Sequence, residues 1–230
     1  MKASQRIIIA LDTASLDEAL AMVDALGDEA AFFKVGLELF SAAGPVAVER
    51  LVARRKRVFL DLKLNDIPNT VGRAARVISE LGVDLLTVHA GGGGEMIAAA
   101  KEGLGGSAKL LAVTVLTSMS SADLGGVWGR AVDSVPEEVL RMAEISRAAG
   151  ADGVVSAAAE AARVRARVGE GFLIVVPGIR PQGSDRQDQK RVATPGHAVR
   201  SGADYLVIGR PVTQAADPAA ALRAVIADIS

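Results

Sequence analysis

The chain has 230 residues, half of them hydrophobic and 23% charged, with a net charge of −1 and no cysteine. It is long enough to bury a sizeable core, and its composition is that of a soluble globular protein. A nearly neutral charge offers no field for a nucleic-acid backbone or an anionic membrane, and the lack of cysteine excludes disulfides, thiolate chemistry, iron–sulfur clusters and thiolate-bound zinc.

The first eleven residues carry Lys2, Arg6 and a short apolar run that meets a charge at Asp12. That makes a poor signal peptide and a good first strand. No apolar stretch is long enough to span a bilayer, so a cytoplasmic location is expected. From there β-branched runs alternate with Ala-, Leu- and Arg-rich helical patterns. Strands are predicted over residues 6–12, 31–36, 57–63, 84–89, 109–116, 153–156, 172–176 and 205–208. Helices are predicted over 16–26, 45–54, 69–81, 94–102, 137–149, 157–168, 193–201 and 218–228. Alternation of this kind implies right-handed βαβ units, and eight of them in this length imply a closed α/β barrel, the (β/α)8 TIM fold. No linker composition interrupts it, so residues 1–230 are expected to form one domain. Residues 118–136 read as an ordered excursion after strand five, and 183–189, rich in Gln, Asp and Ser, as a loop after strand seven.

Chemistry is concentrated at the end of strand three, in Asp61-Leu62-Lys63-Leu64-Asn65-Asp66-Ile67-Pro68-Asn69-Thr70. Side chains alternate along a strand, so Val58, Leu60 and Leu62 face the helices while Phe59, Asp61 and Lys63 face the barrel. In a regular strand the Asp61 and Lys63 Cβ atoms lie about 7 Å apart, flanking one small centre. A structural ion pair is the alternative, but burying one seldom stabilises a fold over apolar packing. The same parity places Asp12, Lys34 and Thr117 at the mouth, where barrel enzymes carry their catalytic groups. Asp12 has a second reading as a helix N-cap and Thr117 as a turn residue. Lys34, closing an apolar strand, requires a counter-charge, for which Asp61 is the nearest candidate. Lys34, Asp61, Lys63 and Asp66 then form an alternating charged array. Phosphate is expected in the loops after strands seven and eight, where Pro177-Gly178-Ile179-Arg180 and Ile208-Gly209-Arg210-Pro211 each bring an arginine. His89, His197 and Trp128 read as structural, His89 as a hydrogen-bonded group at a strand end; Asp123, Arg130 and Asp133 read as solvated loop charges.

The run 61–70 resembles the DxKxxDIPNT signature of orotidine 5′-monophosphate decarboxylases. The resemblance extends over Ile9-Ala10-Leu11-Asp12, Phe33-Lys34-Val35-Gly36, Thr87-Val88-His89-Ala90, Val115-Leu116-Thr117-Ser118, Pro177-Gly178-Ile179-Arg180, Asp188-Gln189 and Ile208-Gly209-Arg210. Asn65 stands where many members carry His. The resemblance implies loss of CO₂ from orotidine 5′-monophosphate to give UMP, the last step of pyrimidine nucleotide synthesis. Lys63 matches the proton donor, Asp61 its neighbour, and Lys34 and Asp66 complete the charged network. Asp12 and Lys34 match ribose contacts, and Thr117 and Ser118 match contacts to the pyrimidine. Ile67 and Pro177 fall in matching substrate-binding segments. Arg180, Gln189, Gly209 and Arg210 match the phosphate grip, with Gln189 on the closing loop. Asp66 and Thr70 match positions that reach into a partner's site, which implies a homodimer. No metal or cofactor is expected, so stabilisation of the C6 carbanion falls to electrostatics. A magnesium-dependent sugar-phosphate lyase of the same superfamily is the nearest alternative, and a non-catalytic phosphate-binding barrel a more distant one.

Overall fold

The computed structural model describes residues 2–106, 108–181 and 193–230. Eight parallel strands close into a barrel in sequence order, a (β/α)8 architecture. The strands are β1 (Ile7–Leu11), β2 (Phe32–Val35), β3 (Arg57–Leu64), β4 (Leu85–His89), β5 (Lys109–Val113), β6 (Gly153–Val155), β7 (Leu173–Val176) and β8 (Tyr205–Ile208). Around them run α1 (Leu16–Leu26), α2 (Leu37–Ala43), α3 (Pro45–Ala53), α4 (Pro68–Ser79), α5 (Gly93–Leu104), α6 (Ser121–Trp128), α7 (Val135–Ala148), α8 (Ala158–Val168), α9 (Pro195–Arg200), α10 (Arg210–Thr213) and α11 (Pro218–Asp228). Among the described residues no helix is long and apolar enough to cross a membrane.

Local chemistry sets many of the boundaries. Ser15, Ser134 and Asp217 accept from the backbone N–H three residues on, and proline occupies the first turn of α3, α4, α7 and α11. The excursion at 118–136 contains a helix, α6, opened by a capping box in which Ser120 and Asp123 bond each other's backbone N–H. Asp123 is therefore a cap rather than a free loop charge. Arg130 likewise stacks 5.0 Å from the Trp128 ring and pairs with Glu138. Helix α2 was not expected, because Leu37–Ala43 follows strand two without a capping side chain.

The barrel has two apolar layers. Outward positions such as Ile9, Phe33, Leu60 and Leu86 pack under the helices, whereas Ile8, Phe32, Phe59, Leu111 and Tyr205 fill the interior. The floor is closed by Phe32 and Tyr205, edge to face at 5.7 Å, with the Arg57 guanidinium 4.0 Å above the Phe32 ring. Polar side chains begin one inward position higher, at Lys34 and Asp61.

A threefold recurrence ties the lower rim. Gly82-Val83-Asp84, Gly150-Ala151-Asp152 and Gly202-Ala203-Asp204 precede β4, β6 and β8, each glycine at positive φ. Asp84 accepts from Val58 N–H at 2.9 Å and from Arg57 at 2.8 Å. Asp152 accepts from Leu110 N–H at 2.7 Å and from Lys101 at 2.5 Å. Asp204 accepts from Ile174 N–H at 2.8 Å and from Arg165 at 2.6 Å. Each carboxylate thus pins the start of the preceding strand to a cation.

Candidate active site

The upper end of β3 departs from a regular strand. Its register against β4 advances from Leu60↔Leu86 to Leu64↔Val88, so four residues of β3 pass while β4 advances by two. Lys63 lies inside this bulge with φ +51°. A left-handed conformation costs a non-glycine residue on the order of 1 kcal/mol or more, and such strain collects at functional sites. The parity expected for Asp61 and Lys63 holds, but the bulge curls the lysine back. Its Nζ donates to Asp61 Oδ2 at 2.9 Å.

Lys34 Nζ approaches the same Asp61 oxygen at 3.9 Å and donates to Asp12 Oδ1 at 2.8 Å. The closer counter-charge of Lys34 is therefore Asp12 rather than Asp61. Asp12 does not cap α1, a role taken by Ser15. Gly36 makes room for this contact: a Cβ there would lie 2.6 Å from Lys34 Nζ and 3.2 Å from Asp12 Oδ1. Sequence reasoning passed over Gly36 as a site residue, although it follows the lysine by two positions.

These charges line a cavity in two joined parts. The wider part, about 430 Å³, is bounded by Asp12, Lys34, Pro177, Arg180, Gly209 and Arg210. The narrower part, about 190 Å³, holds Asp61, Lys63 and Thr117 among Phe59, Val113 and Val155. Lys34, Pro177 and Val207 border both. One end is thus lined with arginine and the other is a small apolar chamber; Lys34 stands where they meet, with Asp12 on the arginine side and Asp61 and Lys63 on the chamber side. Gly209 precedes the short helix α10, with Pro211 in its first turn as expected. Ser156, absent from the sequence expectations, also borders the chamber; its buried Oγ has no hydrogen-bond partner among the described residues.

Other expected residues lie apart from this cavity. Asp66 is exposed and accepts from Ile67 N–H at 2.6 Å, so within one chain the charged array has three members rather than four. Ile67 is 65% exposed, Thr70 is also exposed, and Ser118 sits exposed on the rim. The loop 183–189 and its Gln189 lie outside the described residues. His89 borders a separate cavity with Asn65, Met119 and Trp128. Burial lowers its pKa, the Lys63 ammonium pushes the same way and Asp61 opposes. No other described residue hydrogen-bonds its ring, contrary to the expectation of a bonded structural histidine.

Thr87 on β4 stands out in the sequence only as part of the Thr87-Val88-His89-Ala90 motif. It is fully buried, accepts from Lys63 N–H at 2.9 Å and donates to Asp61 Oδ1 at 2.9 Å.

Residues 5–225 match the model of the orotidine 5′-phosphate decarboxylase / HUMPS family. The chain belongs to that family. It is 51% identical to the orotidine 5′-phosphate decarboxylase of Anaeromyxobacter sp. (strain K), with the whole of both chains covered. Among solved structures it resembles the orotidine 5′-phosphate decarboxylase of Lactobacillus acidophilus, with a TM-score of 0.87 and 38% identity over 97% of this chain and 98% of that one. The enzyme from Pyrococcus horikoshii OT3 overlays with a TM-score of 0.79 at 26% identity, covering 97% of this chain and 98% of that one. The cavity lies where such barrels keep their active sites, at the C-terminal ends of the strands.

Proposed function

We propose that this protein decarboxylates orotidine 5′-monophosphate to UMP, as its relatives' names describe for them. The observation that carries the reading is the joined cavity: Lys63 and Asp61, 2.9 Å apart, lie in a small apolar chamber that meets an arginine-lined compartment at Lys34. The phosphate lies against Arg180, Gly209 and Arg210, the ribose beside Asp12 and Lys34, and the pyrimidine in the chamber with Thr117. Pro177 bridges the two, Ser118 adds a contact from the rim, and Gln189 is a further phosphate ligand by its match to the family.

Loss of CO₂ from C6 leaves an electron pair that the ring delocalises poorly. The Lys63 ammonium, fixed beside C6, stabilises that charge as it develops and then delivers a proton to the carbon. Asp61 holds Lys63 in place and lies next to the departing carboxylate. Enzymes remove about 8–23 kcal/mol from their barriers, more than one lysine supplies. Binding of the distant phosphate, which orders and dries the chamber, contributes the rest. The active unit is a homodimer in which Asp66 and Thr70, both exposed here, enter the partner's site, Asp66 completing the fourth position of the array.

A magnesium-dependent sugar-phosphate lyase would require an acid where Lys34 stands, since an ammonium repels Mg²⁺. The test is formation of UMP from orotidine 5′-monophosphate, followed by absorbance, in buffer containing excess EDTA. Turnover that survives chelation is expected. Turnover of a sugar phosphate that collapses on chelation, with none of orotidine 5′-monophosphate, would replace this reading.

A further inference from the structure

The bulge in β3 leaves the Lys63 N–H without a ladder carbonyl, and the group that receives it is a side chain. We infer that Thr87 is a positioning residue for decarboxylation, acting through both Lys63 and Asp61; this role rests on the function proposed above.

The direction of its bonds is forced. A backbone N–H can only donate and a carboxylate can only accept, so the Thr87 hydroxyl accepts from Lys63 N–H and gives its single proton to Asp61 Oδ1. Oδ1 is thereby turned toward β4. The other oxygen, Oδ2, is presented to both ammonium groups, Lys63 at 2.9 Å and Lys34 at 3.9 Å. One hydroxyl therefore fixes two quantities that the reaction needs: the left-handed backbone that aims the Lys63 amine, and the rotation of the carboxylate that holds it. Thr87 is itself fully buried, and its chain neighbour Val88 pairs with Leu64 just beyond the bulge. The clamp is thus held by the barrel wall and not by a loop. Thr87 borders neither part of the cavity, so it has no route to substrate except through the residues it holds.

The decisive substitutions are Thr87→Val, which keeps the shape and deletes both bonds, and Thr87→Ser, which keeps the hydroxyl. For each, kcat and KM for orotidine 5′-monophosphate would be measured. So would the rate at which C6 of UMP exchanges hydrogen for deuterium in D₂O, the reverse of proton delivery. For Thr87→Val we expect kcat and the exchange rate to fall together by roughly 10–100-fold, the usual scale for losing a group that orients a catalytic one, with KM unchanged. Thr87→Ser should restore both. Should Thr87→Val fail to fold, Thr87→Ala takes its place, since it removes the same two bonds without pressing a methyl group against charges. Normal kcat in the variant without the hydroxyl, a loss confined to KM, or a Ser variant as impaired as the Val variant would each overturn the role. If the unsubstituted chain gives no UMP, the proposed function falls and this role with it. That result differs from an active enzyme indifferent to Thr87→Val, which removes the inference alone.

Discussion

The two rims of this barrel use the same chemical groups in opposite ways. On the lower rim Asp84, Asp152 and Asp204 each accept one strand N–H and pair closely with one cation, Asp152 having a more distant second in Lys109 at 3.9 Å, and the glycine two residues before each takes the positive φ. At these three turns the charges are satisfied in place and the unusual backbone is assigned to glycine, which tolerates it, although Arg55 ahead of β3 on the same rim also takes a positive φ. On the upper rim the carboxylate of Asp61 is shared among Thr87, Lys63 and a more distant Lys34, and the positive φ falls on Lys63 itself. A lysine held in a conformation suited to glycine, with its ammonium exposed to a cavity, contributes little to the fold. The lower rim ties strands together; the upper rim keeps charge ready for a ligand.

Substitutions can break that contrast. The largest expected effect is at Lys63. Lys63→Ala should reduce kcat by about 10⁴-fold or more, since proton delivery and charge stabilisation are lost together. Calorimetric affinity for UMP should be retained and the melting temperature little changed. Clear residual turnover would remove Lys63 as the donor. Next, Arg210→Ala should lower kcat/KM by roughly 10²–10³-fold, the scale of a lost buried charge pair, although it lies in the arginine-lined compartment away from Lys63. Near-normal kcat/KM would break the coupling between phosphate binding and chemistry. On the lower rim the outcome should invert. Asp204→Ala removes the acceptor of Ile174 N–H and the carboxylate partner of Arg165, which keeps its bonds to the Gly169, Phe172 and Gly202 carbonyls, and should cost about 1–3 kcal/mol in denaturant unfolding, with kcat untouched; a fall in kcat without loss of stability would erase the distinction between the rims.

The smallest effect concerns acid stability. Burial, reinforced by Lys63, depresses His89 in the folded chain. Below its ordinary value near 6.5 the unfolded chain takes up a proton that the folded chain refuses. Stability should therefore fall as pH drops from about 6.5 toward the lower folded value, and flatten beneath it. His89→Gln should remove that slope in unfolding curves recorded across the acid range; an unaltered slope would assign it to other groups.

Much of this was legible from local pattern. The limits of α1 and α11 fall where the sequence places them, because Ser15 and Asp217 cap their first turns. Inward and outward alternation held along β1, β2 and β3, since one apolar layer packs under the helices and another fills the bore, but not beyond Val113 in strand five, where Val115, Leu116 and Thr117 all border the chamber. Strand five is shorter than its apolar run: regular pairing stops at Val113, Thr114 still bonds the Val155 carbonyl, and residues 115–117 wall the chamber. The recurring Gly-x-Asp of the lower rim was overlooked, because three residues carry too little periodicity to mark a repeat. Thr87 was overlooked for a different cause. A threonine in a β-branched strand is what strand propensity alone would place there.

The sequence by itself determined the order of the eight strands and of the main helices between them, the closure expected of eight βα units, and the face on which Asp12, Lys34, Asp61 and Lys63 lie. Those features follow from periods of 2 and 3.6 residues and from capping chemistry, which act over a few neighbours. Only the tertiary structure decided that Lys34 pairs first with Asp12, that Lys63 adopts a left-handed backbone, and that Thr87 holds both it and Asp61. Each of these depends on the register between adjacent strands, which barrel closure sets across residues 22 to 26 positions apart in the chain. No local window contains both partners of such a contact.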